Sequence, residues 1–178
     1  ALAAPALADN STSVVNQSNT GNAATVNQTG SLAGGDSTIN QSGANNSATV
    51  TQSDDGSDFA AVAPPINVST VDQTGDDNVA DVTQDTSTFQ LLSSSAVLQS
   101  GNSNSATVVQ VDDSQSSDIV QSSDNNIASV SQGDPALAPS DSSYGNNSTV
   151  LQAGAGNHIA MVTQGGLLND SAVSQTGD

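Results

Sequence analysis

The chain has 178 residues with no Lys, Arg or Cys, and its 18 acidic residues are all Asp, giving a formal net charge of -18 at pH 7. That balance argues against neutralising a nucleic-acid backbone or docking on an anionic membrane surface, and it leaves neither disulfides nor thiolate metal sites. Aromatics are 2% and the 34% hydrophobic share is mostly Ala and Val, a mix that points to disorder unless a strict repeat organises it.

Residues 1–10 (ALAAPALADN) are mostly small side chains and carry an Ala6-Leu7-Ala8 triplet before Asp9. The triplet resembles the end of a secretory signal peptide; the competing reading is a flexible Ala/Pro tail. No apolar run reaches a transmembrane length, so membrane insertion is not expected.

From residue 11 onward the chain repeats. Aligned by glutamine, the units span 11–28, 35–52, 67–84, 93–110, 115–132 and 146–164, with a half unit at 169–178. The first Gln of each is Gln17, Gln41, Gln73, Gln99, Gln121, Gln152 and Gln175; the second is Gln28, Gln52, Gln84, Gln110, Gln132 and Gln164. The pair is eleven apart in the first five units and twelve in the sixth.

Two before the first Gln stands Val or Ile every time: Val15, Ile39, Val71, Val97, Ile119, Val150 and Val173. Two further back stands Ser, from Ser13 to Ser171. Two before the second Gln comes Val26, Val50, Val82, Val108, Val130 or Val162, preceded at the same interval by Ala, then by Asn22, Asn46, Asn78, Asn104 or Asn126, with His158 in that slot in unit six. A period of two marks a strand with one chosen face. Each unit therefore reads as two strands, Ser-x-Val-x-Gln and Asn-x-Ala-x-Val-x-Gln.

The first Gln and the Asn are five apart, an odd interval, so a turn lies between them, where Gly43, Gly75, Gly101 and Gly154 occur. In unit six the added residue falls in QAGAGNH, and a lengthened turn leaves Asn157 or His158 to take the inward slot. The expected fold is all-β: a β-solenoid, or stacked β-arch, of about 6.5 two-stranded rungs at ~4.8 Å, in which buried amides find copies above and below. None of the aspartates falls in an inward slot; Asp72, Asp81 and Asp118 take the outward phase. A one-residue slip would bury carboxylates, at a cost of roughly several kcal/mol each.

The pattern Q-x-G-x-x-N-x-A-x-x-x-Q at 41–52 and 73–84 resembles the curlin repeat of curli fibre subunits, and the resemblance covers about two thirds of the chain. It implies an exported bacterial protein that polymerises into an extracellular amyloid of the biofilm matrix, with Gln and Asn ladders as fold determinants and with secretion and nucleation factors as partners. The chain departs from that pattern in its inward Ser before the first Gln, in a variable position six before it (Ser11, Gly35, Asn67, Ser93, Gln115, Asn146, Asn169), and in long inserts near 53–66, 85–92 and 133–145. The inserts hold all three aromatics, Phe59, Phe89 and Tyr144, and Pro64, Pro65, Pro135 and Pro139. They read either as mobile loops or as contacts between filaments.

No catalytic or cofactor site is expected. His158 is the only His, and it reads as a ladder position in which an imidazole replaces an amide. Oxygen ligands for a hard cation such as calcium are offered only by Asp-rich turns: Asp54, Asp55 and Asp58, then Asp76 and Asp77, then Asp112 and Asp113. None has a calcium-loop spacing, so solvated turns are the expected reading and no metal site is assigned.

The function expected is a secreted subunit that joins copies of itself head to tail, the segment 1–10 completing the half rung of the next copy. The rival is a monomeric secreted solenoid, ice-binding or adhesin-like, that uses outward Thr such as Thr25, Thr49, Thr107 and Thr149.

Overall fold

The computed structural model describes residues 11–29, 34–54, 67–86, 92–111, 114–133 and 145–177. Within them the chain is all-β and alternates strand by strand between two parallel sheets. Sheet A stacks the first strand of each rung: β1 (Thr12–Gln17), β3 (Gly35–Gln41), β5 (Asn67–Gln73), β7 (Ser93–Gln99), β9 (Ser116–Gln121), β11 (Asn147–Gln152) and β13 (Asp170–Gln175). Sheet B stacks the second: β2 (Ala23–Thr29), β4 (Ser47–Asp54), β6 (Val79–Thr86), β8 (Ser105–Val111), β10 (Ile127–Gln132) and β12 (Ile159–Gln164). This is a β-solenoid of stacked β-arches.

Register is uniform, and it follows from the repeat. Gln17 lies beside Gln41, Gln41 beside Gln73, and Val26 beside Val50, so every rung places like on like. A slip of one residue would turn the Val and Gln columns to solvent. Ile39, Val50, Val71, Val82, Val108, Ile119, Val130 and Val150 are fully buried, Val97 and Val162 nearly so, and Val15, Val26 and Val173 at the end rungs pack partly buried against them. Ala fills the space next to Val in sheet B. Small side chains suit a core this thin, because two strands per rung leave no room between the sheets for an aromatic layer.

The corner between β3 and β4 shows why small residues and left-handed backbone recur. Asn45, Asp77, Ser103 and Asn125, each just before the inward Asn, have φ between 56° and 58°, a region that Asn and Asp enter more easily than most residues. Two positions earlier, a Cβ on Gly75 would collide with the carbonyl oxygen of Gly101 in the next rung. The rungs stack backbone on backbone there, and only glycine fits.

Where the linker between rungs is shortest, the return corner copies this one. From Gln110 to Gln115 and from Gln164 to Asn169 is again five residues, with Ser114 (φ 59°) and Leu168 (φ 55°) in the left-handed position. The variable position six before the first Gln is thereby an inward column of its own: Gly35, Asn67, Ser93, Gln115 and Asn146 are buried, and Ser11 and Asn169 at the ends half-buried. The elementary unit is close to an eleven-residue half rung used twice. The larger inserts fall mostly outside the described residues, as do Phe59, Phe89, Tyr144 and the segment 1–10.

Candidate functional site

The feature that sets this molecule apart is its buried amide system. All thirteen strands carry a glutamine within their last three residues, and the side chains meet in two columns. In sheet A, Nε2 of Gln17 donates to Oε1 of Gln41 (2.7 Å), and the same bond follows from Gln41 to Gln73, Gln73 to Gln99, Gln99 to Gln121, Gln121 to Gln152 and Gln152 to Gln175, all within 2.9 Å. In sheet B it runs from Gln28 to Gln52, Gln84, Gln110, Gln132 and Gln164, all within 3.0 Å. Neither column is interrupted.

Every ladder amide but that of Gln17 also ties the two sheets together. Its second N–H donates across the corner to a backbone carbonyl of the opposite sheet, as Gln73 does to Ser47 (3.1 Å) and Gln84 to Val68 (3.1 Å). An amide buried alone would cost about 1–3 kcal/mol per unmet group; in the inner rungs carbonyl and both N–H groups are used, and the network specifies register as well as stability.

The ladders have a direction. In every one of these bonds the N–H belongs to the earlier rung and the carbonyl to the later one. At the β12/β13 end the glutamines therefore present N–H groups outward along the axis, and at the β1/β2 end they present carbonyl oxygens. The buried Oε1 of Gln28 has no hydrogen-bond partner among the described residues.

The asparagine column works differently from an amide-to-amide ladder. Oδ1 of Asn22 accepts the backbone N–H of Asn46 (2.9 Å), and Asn46, Asn78 and Asn104 do the same for Asn78, Asn104 and Asn126. Nδ2 of Asn22, Asn46 and Asn78 donates to the corner carbonyl of the next rung, Gly43, Gly75 and Gly101. At the corner the amide is engaged by the stacked backbone rather than by its own copy, although asparagine can make the copy-to-copy bond elsewhere, as Nδ2 of Asn16 does to Oδ1 of Asn40 (2.8 Å).

The Nδ2 half of that column breaks in rungs five and six, while the Oδ1 bonds continue. His158 does take the inward slot, its backbone N–H donating to Oδ1 of Asn126 (3.0 Å), and the extra residue lengthens the preceding turn. The longer turn withdraws the carbonyl that Asn126 would meet, and its Nδ2 folds back to Ser123 of its own corner (2.7 Å). Nδ2 of Asn104 and Nε2 of His158 are then buried without a partner among the described residues. Ser123 stands where its neighbours have glycine, at the one corner whose successor is longer.

The inward serines form no ladder. The hydroxyls of Ser37, Ser69, Ser95, Ser117 and Ser148 are buried with no partner among the described residues.

Outward charge is organised too. The carboxylate of Asp76 accepts the N–H of Ala44 (2.7 Å), Asn102 accepts from Asp76 (2.8 Å) and Asp124 from Asn102 (2.7 Å). Asp76 is thus engaged with backbone, and no three acidic or His residues converge on one point among the described residues. Asp55, Asp58, Asp112 and Asp113 lie outside them, as does the side chain of Asp54. Of the outward threonines, Thr25 and Thr49 are register neighbours, but Asp81 separates them from Thr107, and Ser129 and Met161 continue that column; Thr149 lies on the other sheet.

The sequence indicates every glutamine of both ladders and the asparagine slot. It does not single out the inward column from Ser11 to Asn169, because the residue type there changes from rung to rung. A usable signal exists in the two eleven-residue linkers, Gln110 to Gln121 and Gln164 to Gln175, which equal the spacing within a rung. No protein-family model matches the chain, and a search of curated proteins finds no match either.

Proposed function

We propose that the protein is a secreted structural subunit that assembles head to tail into an extracellular, curli-like amyloid fibre serving a biofilm matrix and adhesion. The observation that carries this reading is the polarity of the glutamine ladders. Copies stacked in one orientation bring N–H groups of one end against carbonyl oxygens of the other and continue the same bond. Reversed copies oppose donor to donor. Free strand edges add backbone groups in the same direction. About 6.5 rungs at ~4.8 Å span roughly 30 Å of fibre axis.

The outward aspartates set the conditions. With no Lys or Arg to offset a charge of -18, copies repel, so assembly is expected to accelerate in acid, in high salt and with divalent cations. Freshly desalted protein should form unbranched fibres under electron microscopy, with a reflection near 4.8 Å along the fibre axis, and labelled protein added to short seeds should extend one end faster than the other. Protein that stays monomeric at high concentration, in acid as well as at neutral pH, would sink the proposal and favour the monomeric binding module. The broken threonine column gives that rival little support. The export that the reading requires rests on Ala6-Leu7-Ala8 and is checked by whether the segment 1–10 is retained on protein recovered from culture medium.

A further inference from the structure

The outer face of sheet A carries a short ladder of its own. Nδ2 of Asn16 donates to Oδ1 of Asn40 (2.8 Å), and Nδ2 of Asn40 donates to Oδ1 of Asp72 (2.5 Å). The next residue in register is Leu98, so the ladder ends on a carboxylate with a leucine beside it. The second carboxylate oxygen of Asp72 has no hydrogen-bond donor among the described residues. Two positions further along each strand stands a row of hydroxyls, Ser18, Ser42 and Thr74, exposed at their side chains and held in step by backbone N–H bonds to Gln41, Gln73 and Gln99 of the following rung.

Between the two rows, on the flank of the stack, runs a groove of about 320 Å³. Gln41 lies in its floor with backbone alone, because that side chain turns inward and is 2% exposed. The volume is at the lower end of the roughly 300–1,000 Å³ typical of small-molecule sites.

We infer that this groove is a glycan-binding site, and that its ligand is a linear chain of amino sugars with a free ammonium group paired to Asp72. Charge sets the sign of the ligand. The protein has no Lys or Arg and a formal charge of -18, and Asp76 and Asp77 stand in the corner just after Thr74, so the potential over the groove repels carboxylated or sulfated glycans and attracts cations. An ammonium brings three donors to the oxygen of Asp72 that the protein leaves unmet, and bonds of that kind between ionised partners are the stronger ones.

The two rows set the shape. Asn16 faces Ser18, Asn40 faces Ser42 and Asp72 faces Thr74 across the groove, so each of three successive rungs offers donors and acceptors on both sides, as sugar hydroxyls require. Rungs are ~4.8 Å apart, and an extended chain of pyranose rings advances by close to that distance per ring, which keeps ring and rung in step. A peptide strand laid along the axis, at about 3.3 Å per residue, falls out of step. Leu98, 40% exposed, closes the polar run with a surface for the C–H face of a ring. A simple polyamine would use the carboxylate and leave the hydroxyl row and Leu98 untouched.

The test uses the freshly desalted full chain at low ionic strength with three probes: a β-linked glucosamine tetramer, its fully N-acetylated counterpart, and spermine, which carries as many ammonium groups as the first. Calorimetry is expected to show the glucosamine tetramer binding at least about tenfold more tightly than either other probe, and NMR to show it shifting the side-chain amide signals of Asn16 and Asn40. D72N keeps an acceptor for Asn40 and should weaken the tetramer about tenfold, the equivalent of one charge-assisted hydrogen bond. The pair S42A and T74A, which leaves the ladder alone, should weaken it several-fold, and D118N, an outward aspartate two rungs on in the same sheet, should leave it unchanged. Equal loss in D72N and D118N, or spermine binding as tightly as the tetramer, would reduce the site to diffuse negative charge and overturn the inference. So would failure of the tetramer to bind, or binding that survives both D72N and the hydroxyl pair. Binding is read on the unassembled chain, so it stands or falls separately from fibre growth.

Discussion

The two glutamine ladders and the asparagine column stack in the same rungs, yet only the column loses bonds. Both ladders pass through rung six unaltered, and the Asn Oδ1 bonds run on to His158, whereas the Nδ2 bonds to the next corner stop after Asn78. The difference lies in what each amide holds. A glutamine bonds its own copy, whose position is fixed by strand pairing on both sides. An asparagine bonds a corner carbonyl, whose position depends on how many residues the corner contains. One added residue in QAGAGNH is enough to move that carbonyl away, while the strands it joins keep their register.

The strongest way to break the comparison is to remove a ladder amide from the middle. Q84L would leave the Gln52 donor, the Gln110 carbonyl and the Val68 carbonyl without their partner, and a loss of about 4 kcal/mol is expected from the buried groups left unmet. Chemical denaturation of the monomer measures it; a loss below that of N126A, which touches the already interrupted column, would show that the ladders are not the stronger element.

Next in size is the corner backbone. G75A places a Cβ against the Gly101 carbonyl and is expected to cost about 1–3 kcal/mol through overpacking. S123A, at the same position two rungs on, should be close to neutral. If both substitutions cost the same, the longer corner of rung six is not what makes room for Ser123.

Repair should run the other way. Deleting Ala155 together with H158N gives rung six the five-residue corner of its neighbours, and re-forming the Asn104 and Asn126 bonds should add about 1–2 kcal/mol. Slower exchange of the rung-five and rung-six corner amides is the direct readout. The smallest effect is expected at the inward serines: S69A removes a buried hydroxyl that has no partner among the described residues and should be neutral or stabilising by up to about 1 kcal/mol. A marked loss would mean that the hydroxyl is bonded in solution.

Much of this architecture is legible without coordinates, for reasons that can be traced to particular residues. Gln41 and Gln52 are eleven apart, Ile39 and Val50 each stand two before a Gln, and Asn46 sits an odd interval from Gln41; a two-residue period and a phase change are local properties, and they survive any tertiary arrangement. The inward column through Gly35, Asn67, Gln115 and Asn146 is less visible because its members share no chemistry. Gly35, Gln115, Asn146 and Asn169 each follow a left-handed residue (Gly34, Ser114, Gly145, Leu168), and at Gly35 the absence of a side chain leaves room for the Gln52 amide.

By itself, then, the sequence determined the rung: which face of each strand turns inward, where the turn falls, and that no aspartate among the described residues is buried, since all of these depend on neighbours within a few residues. Only the tertiary structure decided how asparagine differs from glutamine, that the return corner repeats the first, and that the ladders point one way. Those depend on what lies one rung above, about 4.8 Å off in space but 22 to 32 residues away in the chain, and on hydrogen-bond directions that no residue type fixes alone.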